Sequence, residues 1–308
     1  MAGLIPREFL EHPSKLKPRD IEEGLIKVGY LPNQKIVTTL FLAFQLDKPI
    51  LVEGPAGCGK TYLGVCTARM FGFPLIRLQC YEGILPEQSI YEWNYHKQLL
   101  KIQMNHLRDN DGLEESIFSE EYLLERPLLT ALKSPEAVLL IDEIDKADEQ
   151  FEAFLLELLG ERQITIPELG TVRAPPNQKL ITILTSNSSR ELSEPLKRRC
   201  LHLYLDYPPK ELEKQIILLH CPQMYDRFVD NILDFVENLR KMRLQKIPSI
   251  AESIDFAKSL LAIGKNDLDA ETVNSLLSTL LKIKSDIDAV KRKGVENLLG
   301  IGNNDHEG

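Results

Sequence analysis

Apolar positions along the chain follow two patterns, and the change between them divides it. From Asn33 to Leu46, the residues Ile36, Val37, Leu40, Phe41 and Phe44 recur at helical spacing. Asn33, just after Pro32, is placed to cap the first turn. Short continuous apolar runs follow at Pro49–Glu53, Pro74–Cys80, Ala137–Ile141 and Lys179–Ser186. Such runs, bounded by turn or polar signals, predict strands buried on both faces. Helical segments separate them, among them Lys60–Phe71 and Glu149–Leu159. Strands alternating with helices predict an α/β fold, a parallel sheet flanked by helices.

Two stretches depart from that alternation. Residues 163–174 read as strand, turn, strand: Gln163-Ile164-Thr165-Ile166, then Glu168-Leu169-Gly170, then Thr171-Val172-Arg173. This predicts a hairpin inserted before the fourth strand. After Tyr207-Pro208-Pro209 the strand pattern stops and the rest is helical. We therefore expect two domains, residues 1–207 and an all-helical 208–308, with a frayed polar tail from Gly300. The first 48 residues, punctuated by Pro13, Pro18 and Pro32, read as a lead-in.

Composition narrows the class. The 308 residues are 43% hydrophobic and 27% charged, as in ordinary globular proteins, which excludes collagen-like and largely disordered chains. The apolar runs, such as Ala137–Ile141, fall far short of the roughly 18 residues a membrane helix needs. Charges at Arg7, Glu8, Glu11, Lys15, Lys17, Arg19 and Asp20 leave no apolar centre for a secretory leader. A net charge of −9 disfavours binding to a nucleic-acid backbone. The five cysteines, Cys58, Cys66, Cys80, Cys200 and Cys221, form no C-x-x-C pair, so a reducing, cytoplasmic setting is expected. The six histidines show no metal-ligand spacing.

The chemistry begins where the first strand ends. Gly54-Pro55-Ala56-Gly57-Cys58-Gly59-Lys60-Thr61 fits G-x-x-x-x-G-K-[ST] between a strand and a helix. Backbone N–H groups of such a loop point at phosphate oxygens, and the helix N-terminus adds a favourable dipole. Lys60 is expected to reach the β- and γ-phosphates, and Thr61 to ligate Mg²⁺, with Tyr62 next in the nucleotide-binding set. Farther on, Val138-Leu139-Leu140-Ile141-Asp142-Glu143 is an apolar strand ending in two acids. Its carboxylates fall at the carboxyl edge of the sheet, where ligands bind. Asp142 would hold Mg²⁺ and Glu143 would activate the attacking water. Together the two motifs indicate Mg-ATP.

The fourth strand ends in Thr185-Ser186-Asn187, whose amide can reach the γ-phosphate or the water. Leu196-Lys197-Arg198-Arg199-Cys200 comes next. A Lys-Arg-Arg run alone is a solvated face; after a phosphate loop and an acid pair, Arg198 or Arg199 is a candidate clamp on a neighbouring subunit's ATP. Weaker readings remain open. Asp145 and Lys146 form an exposed ion pair at a helix start, or a subunit contact. Tyr91, Trp93 and Tyr95 pack together, or face a client. Gln79 is a plain polar strand end, or a relay to Glu143.

With these blocks on the page, the sequence resembles the MoxR-type AAA+ ATPases. The resemblance rests on Gly54–Thr61 (Walker A), Leu139–Asp145 (Walker B), Asn187 (sensor 1), Glu194–Arg199 (arginine finger) and the hairpin 163–174. It covers most of the chain. The stretch from Arg77-Leu78-Gln79-Cys80 to Tyr91-Glu92-Trp93-Asn94-Tyr95 resembles the clade's helix-2 insert, placed at about 82–105. Within the clade the sequence looks most like CoxD-like members. The resemblance implies a P-loop AAA+ sheet with a helical lid, a homo-oligomeric ring such as a hexamer, and ATP with Mg²⁺ at subunit interfaces. It also implies a von Willebrand A-domain partner and a chaperone role on a client enzyme, in metal-cofactor insertion or complex maturation. One departure stands out: where many AAA+ lids carry a sensor 2 arginine, this chain has Ala251 and Glu252, with Lys246 nearby.

Overall fold

In a computed structural model of the protein, which describes residues 4–106 and 117–300, the chain forms two compact units. Met1–Gly54 and Lys60–Tyr204 make the first; Pro55–Gly59 and Leu205–Gly308 make the second. The expected frayed tail falls, beyond Gly300, outside the described residues.

The first unit opens with three helices, α1 (Arg7–Glu11), α2 (Pro18–Lys27) and α3 (Gln34–Leu46). Asn33 caps α3 as its position predicts, accepting the Ile36 N–H at 3.0 Å. Then β1 (Ile50–Glu53), α4 (Lys60–Phe71) and β2 (Leu75–Gln79) follow. The insert consists of α5 (Pro86–Ile90), β3 (Tyr91–Trp93), α6 (Tyr95–His106) and β4 (Leu123–Glu125). Next come α7 (Pro127–Lys133), β5 (Glu136–Asp142), α8 (Glu149–Glu161), the hairpin β6 (Gln163–Ile166) and β7 (Gly170–Arg173), β8 (Lys179–Ser186), α9 (Glu194–Arg199) and β9 (Leu201–Tyr204).

Five of these strands form one parallel sheet in the order β2-β5-β8-β1-β9. Both central strands β5 and β8 are buried along nearly their whole length, which is why they read as unbroken apolar runs. The fifth strand, β9, is not among those the apolar runs predict. It lies at the edge, so only alternate residues face inward, and Leu201-His202-Leu203-Tyr204 carries the alternating pattern of a half-buried strand. Helix α4 packs closely on the sheet: a Cβ at Gly64 would lie 2.9 Å from Leu140 Cδ1.

Polar side chains hold the loops. Arg162, in left-handed conformation at the end of α8, ion-pairs Asp47 and donates to Gln178 Oε1 at 2.9 Å. The Gln178 amide donates to the carbonyls of Ala131 and Leu132 in the last turn of α7 and of Ser134 just past it, satisfying acceptors the helix leaves open. The hairpin is as predicted; Ile164 and Ile166 enter the core while Thr165 and Thr171 face outward.

The insert differs from expectation. It does not close by residue 105, because β3 pairs antiparallel with β4 across the segment outside the described residues. Of the three alternating aromatics, Trp93 is buried and packs edge-on against Tyr91 and Phe118. Tyr95 is exposed because it begins a helix rather than continuing the strand.

The second unit is helical: α10 (Lys210–His220), α11 (Asp226–Arg240), α12 (Ile250–Ala262), α13 (Ala270–Leu280), α14 (Lys284–Lys293) and α15 (Val295–Leu299). Its core is apolar, built on residues such as Phe228, Ile232, Phe235, Phe256 and Leu277. One buried ion pair crosses it, Arg240 to Glu213 at 2.7 and 2.9 Å, and Ser253 Oγ donates to the same carboxylate.

Trp93 is the only tryptophan, so it reports on the insert alone. Its emission should be blue-shifted in the folded protein and weakly quenched by iodide. Phe118→Ala should shift it to the red while leaving the far-ultraviolet dichroism unchanged, as loss of one aromatic wall predicts.

Candidate functional site

The register of the sheet assembles the site. Gln79 on β2 lies opposite Asp142 on β5, and Ile141 lies opposite Leu184 on β8. Asp142 and Thr185 therefore sit side by side at the carboxyl edge. Lys60 and Thr61 begin α4, immediately after the phosphate loop.

Asp142 is only 2% exposed, yet it is well satisfied. Thr61 Oγ1 donates to its two oxygens at 2.9 and 3.1 Å, and Thr185 Oγ1 donates to Oδ1 at 2.5 Å. Arg77 Nη2 ion-pairs Oδ2 at 2.5 Å. Thr185 Oγ1 also accepts the Glu143 N–H at 2.9 Å, so one hydroxyl ties both acids to β8. Lys60 Nζ donates to Gly54 O at 2.7 Å, which spans the loop from its far end to its first glycine.

Glu143 takes a left-handed backbone, φ 58° and ψ 49°, which costs a non-glycine residue about 1–2 kcal/mol. That turn lifts its carboxylate out of the strand line to 32% exposure. There Gln79 Nε2 donates to it at 3.1 Å and Lys146 Nζ pairs with it at 2.5 Å. The hydrogen bond to Glu143 and its charge push the Lys146 ammonium above its ordinary value.

Asp145 and Lys146 are not an exposed pair at a helix start. They lie in a single 3₁₀ turn, Ile144–Lys146; Lys146 turns to Glu143, and Asp145 is buried. Asp145 Oδ2 accepts from Ser189 N–H at 3.0 Å and Ser189 Oγ–H at 2.6 Å. Burial pushes this carboxyl up, but the bonds from Ser189 and from the Asn187 N–H outweigh it and hold it below the usual carboxylate range. The Asp145 carboxylate thus fixes the loop that carries Asn187 at the end of β8. Ser188 in that loop is also left-handed, φ 56°.

The two arginines behave differently. Arg198 is 82% exposed and only 3.9 Å from Glu194 on its own helix. The Arg199 guanidinium lies over Gly160 of α8, where a Cβ would leave it no room. The segment leading into their helix is anchored by buried Glu152, which accepts the Ser193 N–H at 2.8 Å and pairs with Arg190 at 2.5 Å.

In the second unit, Gly57 and Gly59 have φ of 78° and 95°, a conformation that favours glycine. Glu252, at the expected sensor position, is the capping-box acid of α12 and accepts the Ser249 N–H at 3.1 Å. Lys246 pairs with it at 3.4 Å. Burial pushes the Glu252 carboxyl up; its bonds with Ser249 and the nearby Lys246 bring it down overall. Residue 252 caps a helix here, and Lys246 already faces its carboxylate.

The donor set fits Mg²⁺. This ion takes one or two protein oxygens and completes its shell with phosphate and water. Thr61 Oγ1 and the Asp142 carboxylate supply such oxygens, and the Arg77 guanidinium marks where positive charge is favoured. Among the described residues there is no group of three or more His, Cys, Asp or Glu placed to hold a metal alone. Four contributors are not singled out by the sequence: Arg77, Thr185, Ser189 and the turn of Lys146 toward Glu143. The available signal was Arg77 and Gln79 two apart on an otherwise apolar strand, hence on one face.

Residues 49–200 match the family model of the AAA domain, dynein-related subfamily. An uncharacterized protein of Staphylococcus epidermidis is 28% identical over 206 residues, covering 66% of this chain and 72% of its own. An uncharacterized protein of Staphylococcus aureus matches with the same identity and coverage. Among solved structures, a mutant of Thermotoga maritima RuvB has a TM-score of 0.48 at 18% identity, covering 82% of this chain and 70% of that one. Among the described residues, no helix is long and apolar enough to cross a membrane.

Two outcomes follow from the geometry. Burial, then the charges of Asp142, Asp145 and Glu143, push the Cys80 thiol up to about 12. At pH 8 about one part in 10⁴ is thiolate, so Cys80 should resist maleimide labelling in native protein and react readily in urea. Asp145→Ala strands the Ser189 N–H and hydroxyl and should lower stability to urea by about 2 kcal/mol. The segment 49–200, holding the glycine-rich loop, the acid pair, Asn187 and both arginines, is similar to AAA domains over just under half of the chain.

Proposed function

We propose that the chain is a Mg-ATP-dependent ATPase of MoxR type that works in a ring, such as a hexamer, as a chaperone on a client protein. The observation that carries the ATPase is the Thr61–Asp142 hydrogen bond at 2.9 Å, which joins the phosphate-loop helix to the acid strand. In this reading Lys60 holds the β- and γ-phosphates, while Thr61 and Asp142 hold Mg²⁺. Glu143 takes the proton of the attacking water, and Asn187 orients that water or the γ-phosphate. Arg198 or Arg199 reaches the ATP of the neighbouring subunit, where a guanidinium suits the charge of the transition state. The high exposure of Arg198 supports that outward role.

The chaperone role rests on the resemblance set out above, with its implied von Willebrand A-domain partner and metal-enzyme client. A net charge of −9 counts against a nucleic-acid substrate. A second reading, an ATP-gated binding module with slow turnover, draws on Glu252. An acid caps α12 where many lids carry arginine, and Lys246 is already paired to it.

The test is ATPase rate per subunit against protein concentration, with mass by light scattering. The ATPase reading expects the rate to rise steeply as a ring-sized mass appears. Arg198→Ala or Arg199→Ala should then lose about 10³-fold or more with the ring intact. A monomer with constant specific activity contradicts the shared site. A ring without turnover favours the gated module.

A further inference from the structure

Three donor groups share the Asp142 carboxylate, the single Thr61 hydroxyl hydrogen lying between its two oxygens. Thr61 Oγ1 touches both oxygens, Thr185 Oγ1 takes Oδ1 and Arg77 Nη2 takes Oδ2. A cation that takes Oδ2 must displace the contact already there. The two threonine contacts come from neutral hydroxyls, and Thr185 is further fixed by the Glu143 N–H. Arg77 is different. It carries full charge, stands on the edge strand β2 and is 49% exposed, with solvent to swing into.

We propose that Arg77 is a built-in counter-ion at the metal site: it neutralises Asp142 and must be displaced from that carboxylate when a divalent cation binds. This rests on the nucleotide-site reading above. Two positive groups cannot share Oδ2, so each weakens the other's hold, and the coupling is reciprocal. A second effect follows from the same nitrogen. Arg77 Nη2 donates to Gln79 Oε1 at 2.9 Å, and that bond orients the amide whose Nε2 donates to Glu143. Displacing Arg77 removes the contact that fixes Gln79 against the general base. Arrival of the cation and release of the base are thereby linked through one side chain. Arg77 is a positioning residue in this scheme.

The experiment titrates Mn²⁺ into the full chain with saturating ADP and reads free Mn²⁺ by electron paramagnetic resonance. ADP affinity in EDTA is measured alongside. For Arg77→Ala and Arg77→Gln we expect Mn²⁺ to bind about tenfold more tightly. ADP in EDTA should bind several-fold more weakly, because Asp142 then faces the phosphates unneutralised. These opposite signs are the signature, since a merely structural residue would weaken both. Arg77→Lys keeps the charge and should stay close to wild type, which guards against a folding defect in the other two. Unchanged or weaker Mn²⁺ binding in Arg77→Ala and Arg77→Gln, with wild-type dichroism and Trp93 emission, overturns the proposal. Wild-type protein that binds no ADP with or without Mn²⁺ overturns the nucleotide reading itself.

Discussion

One buried carboxylate organises this site. Asp142 leaves water at the end of β5, and a charge there persists only if hydrogen bonds or a counter-ion replace its hydration. The replacements come from three other elements: Thr61 at the start of α4, Thr185 on β8 and Arg77 on β2. Satisfying one carboxylate therefore fixes the phosphate-loop helix and three adjacent strands against each other. Glu143 depends on the same arrangement, because its N–H is held by the Thr185 hydroxyl that also serves Asp142. Asp145 repeats the device one turn later and anchors the loop carrying Asn187.

The site is preorganised in a specific sense. The two acids at the end of β5 each have a cationic partner from their own unit. Asp142 has Arg77, and Glu143 has Lys146 and Gln79. Such pairing lets acids cluster at a sheet edge without strong mutual repulsion. Left-handed backbone at Glu143 and Ser188 fits this picture, as strained turns at both strand ends are held by the hydrogen bonds around them.

Much of this was legible in the residues, and the reasons are physical. Central strands buried on both faces write themselves as unbroken apolar runs, so β1, β5 and β8 were readable within a residue or two. The phosphate loop and the acid pair are local motifs whose chemistry needs fixed spacing. What escaped depended on pairing across the sheet. Edge strand β9 is half buried and short. The β4 partner of β3 lies some thirty residues on, beyond a segment with no strand signal. Spacing within β2 puts Arg77 on the same face as Gln79, but that Asp142 is its partner follows only from the β2–β5 register. Lys146 looked like an exposed partner of its neighbour because a 3₁₀ turn and an extended helix start read alike in sequence. Glu252 looked like a missing arginine; its position as third residue of α12 makes it a cap.

The central claim is that Asp142 and Glu143 form a hydrolytic centre in which binding and turnover are separable. Equilibrium ATP binding and single-turnover hydrolysis of Glu143→Gln beside wild type test it most directly. The account predicts ATP affinity within a few-fold of wild type and hydrolysis slowed by about 10²–10⁴, the usual contribution of a general base. Hydrolysis at the wild-type rate, or loss of ATP binding in a variant that keeps its fold, would contradict it.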